Sequence, residues 1–323
     1  MKTIDFFSGA GGFTTGARQA GADVVLVANH DADAIEWHRR NHPEALHVQQ
    51  DLGELDMRGL PDFDLLVASP CCQGFTPSGR PGQSTAHRVD REKILAKREV
   101  ARNTSFAVLS AASVRRPRRI IVENVVEFMD WAAPDCARGS AYRAWVGMLE
   151  AFGYHVRSHR IVASNYGSPQ DRLRMILTAS LDGPIELAPS WGSEEVTIGD
   201  CLLDSSDERC RWVPLDSKTA SIQRRVRKAA NRAGERFVWA NVDSAIGRPL
   251  DHTFATFTTR SLSQLHVVEG DRIRRLEGRE FARGMSFPDS YQLPEGRTLV
   301  SRLIGNAIDC RVSRGVVEQV LSA

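Results

Sequence analysis

Short aliphatic runs recur along the first 180 residues: Thr3–Phe7, Val24–Ala28, Leu65–Ala68, Ile120–Val122, Val156–Val162 and Met175–Thr178. They are too short for buried helices and rich in branched side chains, so each predicts a strand. Between several of them lie Ala32–Arg40, Glu92–Val114 and Tyr142–Phe152, whose apolar positions follow a helical period. Strands alternating with helices predict βαβ units and a parallel, doubly wound α/β sheet. After Ser180 the pattern weakens into scattered Gly, Pro, Ser and Trp, with a basic helical segment at Ser221–Arg232. Charged, helix-like residues return at Gly270–Met285, and an apolar helix is expected over Arg302–Val320. The predicted organisation is a large α/β domain of residues 1–180 plus 300–323, with a smaller, irregular domain over 181–299.

In a doubly wound sheet, ligands bind beyond the carboxyl ends of the strands. The unusual residues fall there. Asp5 and Ser8-Gly9-Ala10-Gly11-Gly12 end the first run, Asn29-His30-Asp31 the second, Pro70-Cys71-Cys72 the third and Glu123-Asn124 the fourth. All four are expected on one rim.

Composition adds exclusions. A hydrophobic share of 42% and a charged share of 25% are ordinary for a soluble protein, and a net charge of +2 does not announce a nucleic-acid binder. The positive charge is clustered, however, at Arg115–Arg119, Arg224–Lys228 and Arg272–Arg275, and only a shared face would turn such clusters into a phosphate-binding stripe. No aliphatic run is long enough to cross a bilayer. Met1-Lys2-Thr3 leads straight into a strand without a cleavage pattern. The six cysteines show no CxxC pair and no metal-ligand spacing with histidine, so a reducing cytoplasm and no metal are expected.

The glycine turn Ser8–Gly12 lets a ligand approach backbone, but it lacks the full dinucleotide spacing, which favours a nucleoside-type cofactor other than NAD. Cys72, in an exposed loop near arginines, has the setting of an activated thiolate, although a lone cysteine at a strand end is more often inert core. Glu123 needs a partner or a task, and a salt bridge to a neighbouring arginine is the plainer expectation. Alternation along a strand puts Arg172 and Arg174 on one face.

Taken in order, Asp5-to-Gly12, Pro70-to-Gln73, Glu123-Asn124-Val125, Gln170-x-Arg172-x-Arg174, Arg274-Arg275-Leu276 with Glu280 and Arg283-to-Pro288, and Ile304-Gly305-Asn306-Ala307 resemble the DNA cytosine-5 methyltransferase family. The resemblance leaves mainly residues 181–265 uncovered. It implies a Rossmann-like sheet that binds S-adenosylmethionine and releases S-adenosylhomocysteine, with a smaller target-recognition domain. It further implies that Cys72 adds to C6 of a cytosine flipped out of duplex DNA, with Glu123 at N3 and Arg172 and Arg174 beside O2. On the cofactor side it implies Phe7, Gly9, Gly11, Gly12, Asn29, His30, Asp51, Leu52, Pro70 and Asn306; on the DNA side, Gln73, Ser78, Arg80, Thr258 and Arg260. Two positions depart from the family's pattern. Cys71 stands where a second proline is usual, which is expected to loosen the turn, and Asn29 replaces the usual ribose-binding Glu. The stretch around Thr256–Arg260 would otherwise read as a β-hairpin. The partner implied is double-stranded DNA, with a cognate restriction endonuclease in function rather than in physical complex; a cytoplasmic, nucleoid-associated monomer is expected. The rival readings are an RNA (tRNA) cytosine-5 methyltransferase and a non-catalytic DNA-binding homologue.

Overall fold

The computed structural model describes residues 1–75, 96, 98–133, 135–192, 194–241 and 247–323. The chain divides into two compact units. The first comprises Met1–Ile161, Leu173–Ser190 and Ser313–Ala323; the second comprises Val162–Arg172 and Trp191–Val312.

The first unit is built on a seven-stranded sheet. In chain order its strands are β1 (Lys2–Phe6), β2 (Asp23–Asn29), β3 (Leu46–Gln49), β4 (Leu65–Ala68), β5 (Arg119–Asn124), β6 (His155–Val162) and, after the two-residue β7 (Gln170–Asp171), β8 (Leu173–Ser180). The spatial order is β3-β2-β1-β4-β5-β8-β6. The pairs β1–β2, β1–β4, β2–β3 and β4–β5 are parallel. Every residue of β4 and β5 is buried, as strands covered on both faces require. The sheet is mixed rather than wholly parallel, because β8 runs antiparallel to β5. Only residues 163–172 link β6 to β8, with one short 3-10 turn among them and no helix to make a parallel crossover.

The helices α1 (Gly12–Gln19) and α2 (Ala32–Asn41) follow β1 and β2 directly, and Asp31 caps α2 by accepting a hydrogen bond from the Ala34 amide at 3.1 Å. Further helices span Phe106–Val114 and Ser140–Ala151, and Cys310–Ser322 ends the chain. The helix expected from Glu92 falls partly outside the described residues.

The second unit holds a five-stranded antiparallel sheet: β9 (Val213–Pro214), β10 (Arg236–Ala240), β11 (Gly247–Pro249), β13 (Leu265–Glu269) and β14 (Arg272–Arg275), in the order β11-β10-β13-β14-β9. The basic helix Ala220–Ala233 buries Val226, Ala229 and Ala233 in one core with Phe237, Trp239, Val268 and Ile273 of that sheet. Separately, β12 (Phe254–Ala255) pairs in parallel with β7. Two expectations are corrected here. The stretch Gly270–Met285 opens as a strand, because Gly270 at φ 58° turns β13 back into β14, and its helix covers only Gly278–Arg283. The expected helix Arg302–Val320 is two helices, Arg297–Asn306 and Cys310–Ser322. Between them the buried Asp309 accepts hydrogen bonds from the Arg311 and Val312 amides and from the Ser168 and Ser286 hydroxyls. A buried carboxyl with four donors to satisfy fixes the break.

Among the described residues, no helix is long and apolar enough to cross a membrane.

Candidate active site

Parallel strands bring their carboxyl ends to the same edge of a sheet, so β2, β1, β4 and β5 deliver their terminal residues to one rim of the first unit. At β1 the chain leaves the sheet through Phe7, at φ 62°, and a turn closed by the Gly11 amide donating to the Ser8 carbonyl at 2.8 Å. Gly9 and Gly11 take positive φ. A Cβ on Gly11 would lie 2.9 Å from the His38 ring, so both conformation and space require glycine there.

At β4 the chain continues through Ser69 and Pro70 into a 3-10 turn over Cys72–Gly74. Three contacts fix that turn. The Asn124 side-chain amide donates to the Pro70 carbonyl at 3.0 Å, joining the end of β5 to it. The Gly74 carbonyl accepts from Arg98 and from Arg102, the latter at 3.1 Å. The Cys71 amide donates to the Thr104 hydroxyl at 3.0 Å. A proline in place of Cys71 would fix the same backbone angle but could not make this hydrogen bond. Burial pushes the Cys71 thiol up, away from thiolate. Cys72 is half-buried against the core rather than exposed, and Gln73 is exposed.

At β5, Glu123 forms an ion pair with Arg174 of β8, Oε1 to Nε 2.9 Å, with both side chains 14% exposed or less. Glu123 therefore has the arginine partner that composition suggested, and that partner is itself one of the candidate residues. Strand β7 ends at Asp171 and β8 begins at Leu173, so no continuous alternation carries Arg172 and Arg174. Arg172 is buried in the second unit and donates to the Phe257 carbonyl at 3.0 Å.

Asn29 ends β2 buried, its Oδ1 accepting from the Asp31 amide at 2.9 Å. His30 is exposed. After β3, Asp51 is exposed and accepts from the Gly53 amide at 2.8 Å, while Leu52 is buried. The hydroxyls of Ser8 and Ser69, just beyond the adjacent strands β1 and β4, are buried and make no hydrogen bond among the described residues. Deeper in β1, Asp5 accepts from Thr14 of α1 at 2.7 Å. Complete burial nevertheless raises its carboxyl to about 7.

Asn306 is exposed at the end of its helix in the second unit. Thr258 and Arg260 are exposed there as well, and no β-hairpin forms around them. The Thr258 amide and hydroxyl bond to Ser261 and start the short helix Ser261–Gln264. Ser78 and Arg80 lie outside the described residues. The roles of Asn124 and Thr104 were missed in the sequence. Asn124 stood inside a quoted motif without a task, and nothing local marked Thr104, which meets Cys71 across 33 positions.

Residues 1–322 match the family model of the C-5 cytosine-specific DNA methylases. A Neisseria lactamica protein, type II methyltransferase M.NlaX, is 28% identical over 334 residues, spanning 100% of this chain and 97% of its own. Type II methyltransferase M1.HphI of Haemophilus parahaemolyticus is 24% identical, over 99% of this chain and 87% of its own. Among solved structures, a DNMT2 variant from Spodoptera frugiperda superposes with a TM-score of 0.70 at 17% identity, covering 99% of each chain, a likeness of fold.

Proposed function

The chain belongs to the C-5 cytosine-specific DNA methylase family, and on that premise we propose that it methylates C5 of a cytosine flipped out of duplex DNA, with Cys72 as the attacking thiolate. The observation that carries the reading is the joining of strand ends in the first unit. Asn124 ties the Cys72 turn to the end of β5, where Glu123 is held by Arg174 at 2.9 Å.

The rim suits S-adenosylmethionine. The Gly9–Gly12 turn offers backbone without side-chain bulk, with Phe7 beside it, and Ser8 and Ser69 carry buried hydroxyls in need of partners. Phe7, Asn29, His30, Asp51, Leu52 and Pro70 would hold the cofactor, and the family resemblance adds Asn306. Because the Asn29 Oδ1 is engaged by Asp31, its Nδ2 is the atom left for a ribose hydroxyl. When bound, the cofactor supplies an electrophilic methyl group.

Cys72 Sγ forms a bond to C6 of cytosine, and the ring electrons displaced toward N3 and O2 must be held. Glu123 would bond to or protonate N3, while the Arg174 guanidinium, with Arg172, would oppose negative charge at O2. The enamine so formed makes C5 a nucleophile that accepts the methyl group. Loss of the C5 proton then expels Cys72 as thiolate and restores the aromatic ring. Gln73, Ser78 and Arg80, together with Thr258 and Arg260 of the second unit, are proposed to contact the DNA strand. Pulling a cytosine from the stack costs a few kcal/mol, which these contacts offset.

Its relatives named as type II methyltransferases suggest a modification role beside a restriction endonuclease of the same sequence specificity. The test is transfer of labelled methyl from S-adenosylmethionine to duplex DNA and to tRNA in parallel, followed by sequencing of 5-methylcytosine in DNA from cells expressing the protein. The account expects label in DNA, concentrated at one short sequence. Label confined to tRNA would refute it.

A further inference from the structure

A cleft of about 900 Å³ opens in the second unit, lined wholly by that unit's residues. Its lining combines apolar side chains, among them Ile222, Trp239 and Ile273, with a larger set of basic ones. Three of the lining arginines are already neutralised: Arg209 by Asp207, Arg274 by the buried Glu280 at 2.7 Å, and Arg297 by Glu277 at 3.5 Å. Arg211, Lys218 and Arg275 have no ion pair or side-chain hydrogen bond among the described residues, and Glu208 is the one lining carboxylate not already engaged. A concave wall with surplus positive charge concentrates anions.

The polar atoms of the cleft are mostly donors. The Asn241 Oδ1 accepts from Arg225, which leaves its amide N–H groups to donate. His266 Nδ1 faces the Gln264 carbonyl at 3.0 Å, which fixes that nitrogen as the protonated one. Burial, and then the charges of Arg275, Lys218 and Arg297, hold His266 below the usual histidine range, so its Nε2 is free to take a proton when an anion arrives.

We propose that this cleft is a phosphate-binding site, formed by Arg211, Lys218, Arg275, Asn241 and His266, for the phosphate oxygens of a nucleic-acid backbone or of a free nucleotide. Cations with neutral donors beside apolar lining match an oxyanion carried on an organic frame. Two of the basic clusters visible in the sequence, Arg224–Lys228 and Arg272–Arg275, here flank the cleft or line it. None of its lining residues has a part in the methyl-transfer reading, so the two can be tested separately.

The experiment follows the His266 ring by NMR in the full chain during titration with three probes: inorganic phosphate, ATP, and a 20-base-pair dA·dT duplex that contains no cytosine. The duplex affinity is also measured against salt for wild type, for the double variant Lys218→Gln/Arg275→Gln, and for the charge-keeping pair Lys218→Arg/Arg275→Lys. For a backbone site, the duplex raises the His266 pKa, and the slope of log K against log salt falls by about 2 in the Gln pair and stays in the charge-keeping pair, roughly one per lost phosphate contact. For a nucleotide site, ATP or phosphate moves His266 and the duplex does not. If none of the probes moves His266 and the Gln pair keeps the wild-type slope, the proposal is overturned. Trapping of a 5-fluorocytosine duplex by the same variants reports separately on the catalytic reading.

Discussion

Replacing Glu123 by Gln tests the catalytic pair where structure and chemistry make different demands. The side chain keeps its size and an oxygen that can still accept from the Arg174 Nε, at 2.9 Å in the native pair. It loses the charge that balances Arg174 and the carboxyl group proposed to serve N3. Removing one partner of a buried ion pair costs about 3–5 kcal/mol, but the retained hydrogen bond offsets part of that, so a stability loss of about 1–3 kcal/mol is expected. The loss in rate is larger. A positioned general acid contributes about 10²- to 10⁴-fold, so single-turnover methyl transfer should slow by that factor, roughly 3–5 kcal/mol in the barrier. Enzyme in excess over a labelled duplex gives that rate free of product release, and fluorescence anisotropy gives the DNA affinity, expected to change by less than about threefold. The double variant Glu123→Gln/Arg174→Gln should be little slower than the worse single variant if the two act as a unit. A Glu123→Gln rate within about threefold of wild type would remove Glu123 from the chemistry and leave it an ordinary salt bridge.

Further expectations concern the frame of the site. Gly11→Ala forces a Cβ into a positive-φ position 2.9 Å from His38, and should cost about 2–4 kcal/mol by urea denaturation, with weakened S-adenosylhomocysteine binding in calorimetry; an unchanged midpoint would contradict the turn geometry. Glu280→Gln leaves Arg274 buried without its counter-charge and should cost about 3–5 kcal/mol, read in the same way. Asp5, raised to about 7 by burial, binds its proton more tightly folded than unfolded. Its contribution to stability is therefore present at low pH and lost as pH rises from about 3.8 to about 7. Stability of the wild type relative to Asp5→Asn should fall across that interval by up to about 4 kcal/mol; a pH-independent difference would show that Asp5 titrates normally.

The sheet was legible because its strands are short aliphatic runs whose burial shows in composition: β1, β2, β4, β5, β6 and β8 all fall on predicted segments. The rim was legible for the same reason, since parallel strands put their terminal residues together whatever the loops do. What failed to show were contacts decided by tertiary structure. The reversal of β8 depends on a link without a crossover helix. The break before Cys310 depends on Asp309 meeting Ser168 across 141 positions. The break between β7 and β8 at Arg172 interrupts the alternation expected to carry Arg172 and Arg174, and it depends on tertiary contacts such as that of Arg172 with the Phe257 carbonyl. Cys71 shows the same limit more sharply. The acceptor for its amide, Thr104, lies 33 positions along the chain, where no local pattern marks it.

The central claim is that Cys72, and not its neighbour, forms the bond to cytosine. Fluorine at C5 cannot leave as the proton does, so a methylated 5-fluorocytosine stays attached to the attacking sulfur. A long duplex carrying 5-fluorocytosine throughout, incubated with the protein and S-adenosylmethionine, digested and mapped by mass spectrometry, locates that sulfur directly. The account predicts an adduct on Cys72, absent in Cys72→Ala and retained in Cys71→Ala. An adduct on Cys71, or one that survives Cys72→Ala, would contradict it.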